Sequence, residues 1–198
     1  ILAHDLASWF QELGDQGRGN LFEELSEPEQ ELLRWNWPLW ARQEQLEPDG
    51  NPRTWLICAG RGFGKTRAGA EWVREIARVP SARIALVASS LVEARSVMVE
   101  GESGILACSP PQVAPRFEPS LRRLTWPNGA RATLYSAAEP ESLRGPQHSQ
   151  AWCDEIAKWD RHKAELTWDN LMMGLRLGPS QRVVATTTPR AVPLMQRL

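Results

Sequence analysis

Residues 55–73 read Trp55-Leu56-Ile57-Cys58-Ala59-Gly60-Arg61-Gly62-Phe63-Gly64-Lys65-Thr66-Arg67-Ala68-Gly69-Ala70-Glu71-Trp72-Val73. The first five are apolar on successive positions, the pattern of a strand covered on both faces. Three glycines follow, and a helix is predicted from Thr66 to Ala77. The stretch Ala59 to Thr66 fits the phosphate-loop pattern G-x-x-x-x-G-K-[ST], with Ala59 in the first glycine position. Each element answers a chemical need. Gly60, Gly62 and Gly64 let the backbone curl so that its N–H groups face phosphate oxygens, and the helix beginning near Lys65 adds its positive end. Lys65 is suited to the β and γ phosphates, and the Thr66 hydroxyl to Mg²⁺. Strand before and helix after is the context in which this pattern is informative.

Outward from the loop, the texture repeats. Ile84-Ala85-Leu86-Val87-Ala88, Ala151-Trp152-Cys153 and Val183-Val184-Ala185-Thr186 also read as buried strands, and a second helix is expected around Leu91 to Glu100. Alternating strands and helices imply right-handed crossovers and an α/β layered fold with a mainly parallel sheet. Asn128-Gly129, between Leu124-Thr125-Trp126 and Ala132-Thr133-Leu134-Tyr135, predicts an antiparallel hairpin inserted into that plan. Residues 1–48 carry helical signals instead: Leu6, Trp9, Phe10 and Leu13 share one spacing, and a run from Glu27 contains Leu32 and Leu33. The turn cluster Pro48-Asp49-Gly50-Asn51-Pro52 divides this segment from a core over 49–198.

Two strand ends complete a candidate site. Asp154-Glu155 closes an apolar strand with two carboxylates: Asp154 is placed to hold Mg²⁺, and Glu155 to polarise an attacking water. A kinase of small molecules does not need the second, so its presence favours ATP hydrolysis. Thr186-Thr187-Thr188-Pro189 brings hydroxyls to another strand end, where ligand contacts gather in doubly wound sheets.

Composition sets the bounds. With 198 residues, 42% of them hydrophobic, the chain suits one ordinary domain with a packed core. A net charge of -1 supplies no bulk attraction to nucleic acid or anionic membranes, so such a partner would meet a local patch. Cys58, Cys108 and Cys153 are odd in number and lack a Cys-x-x-Cys pair, which argues against a disulfide scaffold or zinc site and for buried thiols in a reducing compartment. His4, His148 and His162 show no metal spacing. No apolar run approaches the ~20 residues of a membrane helix, and the start has no signal-peptide order, so a soluble, unexported chain is expected. The start at Ile1 and the stop at Leu198 suggest a piece of a longer protein. Only three of the 23 basic residues are Lys, and nothing in the physics explains the ten Trp.

Gly60 to Val73, Asp154-Glu155 and Thr186-Thr187-Thr188-Pro189-Arg190 together resemble the ATPase domain of large terminase subunits, the DNA-packaging motors of tailed phages, prophages and gene transfer agents. The resemblance spans about residues 35–198. It implies a RecA-like (ASCE) phosphate-loop NTPase that uses ATP and Mg²⁺, assembles as a homo-oligomeric ring at the capsid portal protein with a small terminase subunit, and pumps double-stranded DNA in the bacterial cytoplasm, without a membrane. In the family a nuclease domain follows the ATPase, and none is expected within these 198 residues. Residue by residue it implies Gly60 to Thr66 for ATP (Phe63 included), Thr66 and Asp154 for the metal, Glu155 as catalytic carboxylate, and Thr186, Thr187 and Thr188 for coupling. Gln45 stands where the family reads adenine, Arg61 where it senses the γ-phosphate, and Arg144, eleven residues before Glu155, where an arginine finger reaches a neighbouring subunit. Arg116, Arg122, Arg123 and Arg131 surround the predicted hairpin and are candidate grips on DNA phosphates.

Two other readings stand beside it. The amino-terminal half of a DEAD-box-related helicase shares the loop, Asp-Glu and hydroxyl motif, but Ser89-Ser90-Leu91-Val92-Glu93-Ala94-Arg95 lacks its Pro-Thr-Arg-Glu-Leu block. A scaffold that binds ATP without hydrolysing it would not require Lys65, Asp154 and Glu155 together.

Overall fold

The computed structural model describes residues 3–50 and 52–198, the first five of these by backbone only. The side chains of His4 and Leu6, and Asn51 of the turn cluster, thus lie outside the described residues. Two compact units divide at Leu46 and Glu47. In the first, helices α1 (Ala3–Glu12), α2 (Gly14–Glu24), α3 (Glu27–Arg34) and α4 (Trp37–Trp40) enclose a small core. Phe10 and Leu39 are its buried centre, with Leu13, Leu21, Phe22 and Leu33 packed around them. The Phe10 and Trp40 rings meet edge to face at 5.0 Å. Of the expected apolar positions, Phe10, Leu13 and Leu33 face this core, whereas Trp9 and Leu32 are exposed. Ser26 starts α3 because the Glu29 carboxylate accepts its backbone N–H at 2.9 Å, half of a capping box.

The second unit is a seven-stranded sheet with helices packed against it. Its strands are β1 (Thr54–Cys58), β2 (Arg83–Ala88), β3 (Arg116–Glu118), β4 (Arg123–Thr125), β5 (Arg131–Ser136), β6 (Gln150–Cys153) and β7 (Arg182–Thr187), in the order β1-β7-β6-β2-β5-β4-β3. All pairs from β1 to β5 are parallel; β5-β4 and β4-β3 are antiparallel. The four predicted core strands are present, each within a residue or two of its expected ends. β2, β6 and β7 are buried on both faces, as continuous apolar runs require, whereas the edge strand β1 buries only Trp55 and Ile57. The antiparallel hairpin is present too, but its second strand, β5, is also a full member of the parallel core through β2. It extends the sheet instead of standing apart from it. Asn128 fixes its turn by donating from Nδ2 to the carbonyls of Ala77 (2.8 Å) and Arg78 (3.2 Å).

Helices α5 (Lys65–Ile76) and α7 (Ala164–Gly174) provide the long cover, and α8 (Pro193–Arg197) is short. The helix expected over Leu91–Glu100 differs in kind. Only α6 (Leu91–Glu93) is α-helical; Ala94–Val99 is a π-helix, closed by Glu100 N–H to Arg95 O at 2.9 Å. Its end is crowded by Gly101, where a Cβ would lie 2.7 Å from Val97 O, so the chain can fold back only through glycine. Cys108 and Cys153 are buried, and burial pushes the Cys108 thiol up to about 12. Cys58 departs from expectation: it ends β1, the edge strand, and is exposed. His148 is buried and held neutral, its pKa driven down to about 4 by desolvation. No helix among the described residues is long and apolar enough to cross a membrane.

Candidate active site

The order β1-β7-β6 places β7 between the strand that enters the phosphate loop and the strand that ends in two carboxylates. Their carboxyl ends therefore open side by side. Gly62 and Gly64 adopt φ of +78° and +85°, a left-handed backbone that glycine takes without steric cost, and α5 starts at Lys65. Gly60, Arg61 and Gly62 are exposed, while Phe63, Gly64 and Thr66 are half-buried. The loop's backbone donors and the α5 N-terminus make a ready seat for anionic oxygens. Lys65 is buried, and its Nζ donates to the carbonyls of Ala59 (3.0 Å) and Gly60 (3.1 Å) and to Thr188 Oγ1 (3.4 Å). The ammonium also lies 3.5 Å from Glu155 Oε1, an ion-pair distance.

The three threonines divide their work. Thr186 Oγ1 donates to Asp154 Oδ1 at 2.7 Å and accepts the Trp152 indole N–H at 3.1 Å. Thr187 Oγ1, fully buried, accepts the Ala157 N–H at 3.1 Å and so fastens the turn that follows the carboxylates. Thr188 meets Glu155 twice, its N–H donating to Oε2 at 3.0 Å and its Oγ1 to Oε1 at 3.1 Å. Glu155 itself has φ +46°, ψ +50°, a left-handed conformation that costs a non-glycine residue about 1–2 kcal/mol. Such strain persists only where surrounding contacts hold it, and it clusters at functional sites. Asp154 is buried, and desolvation pushes its carboxyl up to about 6 even against the Thr186 hydrogen bond.

The structure thus brings Lys65, Asp154, Glu155, Thr186, Thr187 and Thr188 together. Arg61 is exposed on the loop itself. Arg144 follows a 3₁₀ turn (Pro140–Leu143) and pairs with Glu141 at 2.9 Å; its side chain is 60% exposed. Among the described residues, no hydrogen bond or ion pair joins it to Lys65, Asp154 or Glu155. Gln45 belongs to the N-terminal unit, in a short 3₁₀ turn where its Oε1 accepts the Arg42 N–H at 2.9 Å. Three contributors escape a reading of the sequence. Trp152 reads there only as strand filler, yet it supports Thr186. Gly69 in α5 makes room for that indole: a Cβ there would stand 2.3 Å from Trp152 Cε2. Trp159 donates its indole N–H to Asp154 O at 3.0 Å. Only the size of Trp beside Gly hints at the first two, and nothing in the sequence marks the third.

This sheet order and loop define a phosphate-loop NTPase fold of the RecA-like kind. A family profile described as terminase large subunit, T4likevirus-type, N-terminal, matches residues 56–196, and the chain belongs to that family. Among solved structures, the large terminase ATPase domain of Thermus phage P74-26 is similar with a TM-score of 0.57 at 17% identity, over 75% of this chain and 64% of that one. The large terminase of another thermophilic bacteriophage, in complex with ADP, gives 0.59 at 11%, over 79% and 37%. The N-terminal domain of the DNA packaging ATPase of bacteriophage phi29 gives 0.55 at 14%, over 74% and 79%. The chain spans less than two thirds of the first two. No curated protein sequence matches it. The family match favours the terminase reading over the helicase one.

Proposed function

We propose that this chain is the ATP-hydrolysing motor domain of a large terminase subunit, which uses Mg·ATP to drive double-stranded DNA into a preformed capsid. The observation that carries the reading is the meeting of Lys65, Asp154, Glu155 and Thr188 at adjacent strand ends. The loop from Gly60 to Gly64 and the α5 N-terminus would hold the phosphates. A triphosphate would compete with Glu155 and two carbonyls for the Lys65 ammonium. Asp154 and the Thr66 hydroxyl are hard oxygen donors of the kind Mg²⁺ takes, and the desolvated Asp154 carboxylate gains from a cation. When bound, the ion neutralises charge on the transferring phosphoryl group.

Glu155 would orient a water and accept its proton as the water oxygen attacks the γ-phosphorus and ADP leaves. Its side chain is one third exposed, enough to reach solvent, and Thr188 fixes both carboxylate oxygens. Thr187 and Thr188 would pass the presence of the γ-phosphate to moving parts. Arg61 would sense that phosphate, Gln45 read the base, and Arg144 serve a neighbouring copy in a ring. Portal protein, small terminase subunit and DNA are the expected partners, in the bacterial cytoplasm. Register supports a DNA-facing role for the hairpin: Arg116, Arg123 and Arg131 share one face of β3-β4-β5, since Arg116 pairs with Thr125, Thr125 with Arg131, and Arg123 lies two residues from Thr125. The core of the assignment is tested by nucleotide binding and turnover. Lys65→Ala should abolish ATP binding. Glu155→Gln should bind ATP yet hydrolyse it at least ~100-fold more slowly. Equal loss of binding in both would remove Glu155 from its role.

A further inference from the structure

Glu155 holds a left-handed backbone, and an L-residue stays there only if the turn after it is fixed. That turn, Ile156–Lys158, is fastened on one side through β7, where Thr187 Oγ1 accepts the Ala157 N–H. It is fastened to its own strand by the Lys158 N–H to Glu155 O (2.8 Å) and the Trp159 indole to Asp154 O (3.0 Å). β6 has a second neighbour, β2. From that flank the described side-chain tie to the turn is Glu93, whose Oε1 accepts a hydrogen bond from Lys158 Nζ. Glu93 is itself aimed: Ser89, at the end of β2, donates its hydroxyl to Oε2, and the Glu93 N–H donates to Ser90 Oγ at 3.2 Å. Strand ends β2 and β6 are locked in step by the Asp154 N–H to Val87 O at 2.8 Å. A carboxylate on the first turn after β2 thus clamps the turn whose other end carries Glu155.

We propose that Glu93 and Lys158 form a positioning pair that holds the Ile156–Lys158 turn from the β2 side and thereby sets the Glu155 carboxylate for attack on ATP. This rests on the reading of Glu155 as the catalytic carboxylate. Neither residue touches the reacting atoms. Their side chains are 48% (Lys158) and 33% (Glu93) exposed, and an ion pair so exposed adds little to stability. Removing it should therefore leave folding intact while loosening Glu155, and a displacement of about 1 Å at a reacting group can cost up to about 100-fold in rate.

The experiment measures single-turnover hydrolysis of bound Mg·ATP, ATP affinity and thermal midpoint for Glu93→Gln, Lys158→Met, the double variant and Lys158→Arg, alone and in a Glu155→Gln background. Each single variant should slow hydrolysis about 10- to 100-fold, with ATP affinity within about threefold. The double variant should be no slower than the singles, because the two act as one unit. Lys158→Arg should retain most of the rate. In the Glu155→Gln background Glu93→Gln should cost nothing further. Multiplying losses in the double variant, or equal losses with and without Glu155, would overturn the pair. Slow hydrolysis by Glu155→Gln beside wild-type rates in both single variants would overturn this proposal alone. Normal hydrolysis by Glu155→Gln would overturn the catalytic reading beneath it.

Discussion

A single hydrogen on Gly69 decides how closely α5 approaches the sheet. Adding a methyl there would bring Cβ within 2.3 Å of Trp152 Cε2 and 2.6 Å of Cζ2. The indole cannot swing away cheaply, because it is fully buried and its N–H is given to Thr186. Gly69→Ala, ordinarily favourable within a helix, should therefore destabilise the core by about 1–3 kcal/mol, read as a lower urea midpoint at unchanged slope. A neutral or stabilising result would mean that α5 can slide on β6. The same network shows where single-residue reading ends. Thr186-Thr187-Thr188 announces hydroxyls at a strand end, and Asp154-Glu155 announces carboxylates. Their division of labour depends on β7 lying between β1 and β6, which no local pattern encodes. Gln45 and Arg61 are likewise legible as residue types, whereas what each meets depends on long-range packing.

Elements with strong periodicity are legible, because strands buried on both faces leave continuous apolar runs that few alternatives mimic. β3 is not, since Arg116-Phe117-Glu118 offers one apolar residue to a three-residue strand. The π-helix is hidden for a related reason: an extra residue in a turn leaves the apolar spacing around Leu91–Val99 nearly as an α-helix would. Only the tight return at Gly101 betrays it. Arg95, on this π-helix, lies 5.8 Å from the centre of the Phe117 ring, which links the segment after β2 to the edge of the sheet. That edge presents a polar face. Arg116 and Arg131 are exposed there, opposite the two sides of Thr125, while Arg123 is engaged with Glu118 at 3.3 Å. The other side of the ribbon turns Leu124 and Ala132 into the core. If Arg116 and Arg131 each neutralise a DNA phosphate, replacing both with Ala should reduce the slope of log affinity against log salt by about 2. Fluorescence anisotropy with duplex DNA between about 50 and 200 mM salt would measure it, the range where such slopes resolve. An unchanged slope would remove this face from DNA contact.

At the scale of the whole molecule, a net charge of -1 coexists with local arginines whose partners need not belong to the same copy. Arg144 shows why. It stands between the 3₁₀ turn Pro140–Leu143 and β6, more than half exposed, and its polar partners are Glu141 at 2.9 Å and Asn170 at 3.5 Å. The second is long, and the first is a surface pair of little energetic worth, so the guanidinium is cheaply redirected. Meanwhile the chain already carries Arg61 on its own phosphate loop. An arginine delivered to a phosphoryl group in transit is worth about 10³–10⁵ in rate, because it neutralises charge that peaks in the transition state. If Arg144 supplies that charge to an adjoining copy, the separated chain should be a weak ATPase despite an intact loop, and activity should rise with concentration as copies associate. Mixing gives the sharper test. Arg144→Ala lacks the finger but keeps Glu155, while Glu155→Gln lacks the base but keeps the finger. Each should be inactive alone. When co-assembled, a subunit with intact Glu155 can take Arg144 from its Glu155→Gln neighbour, so the mixture should recover part of the wild-type turnover, in proportion to the mixed contacts formed. A finger acting within its own chain predicts no recovery at any mixing ratio, and that result, with co-assembly verified by sedimentation, would rule out action in trans.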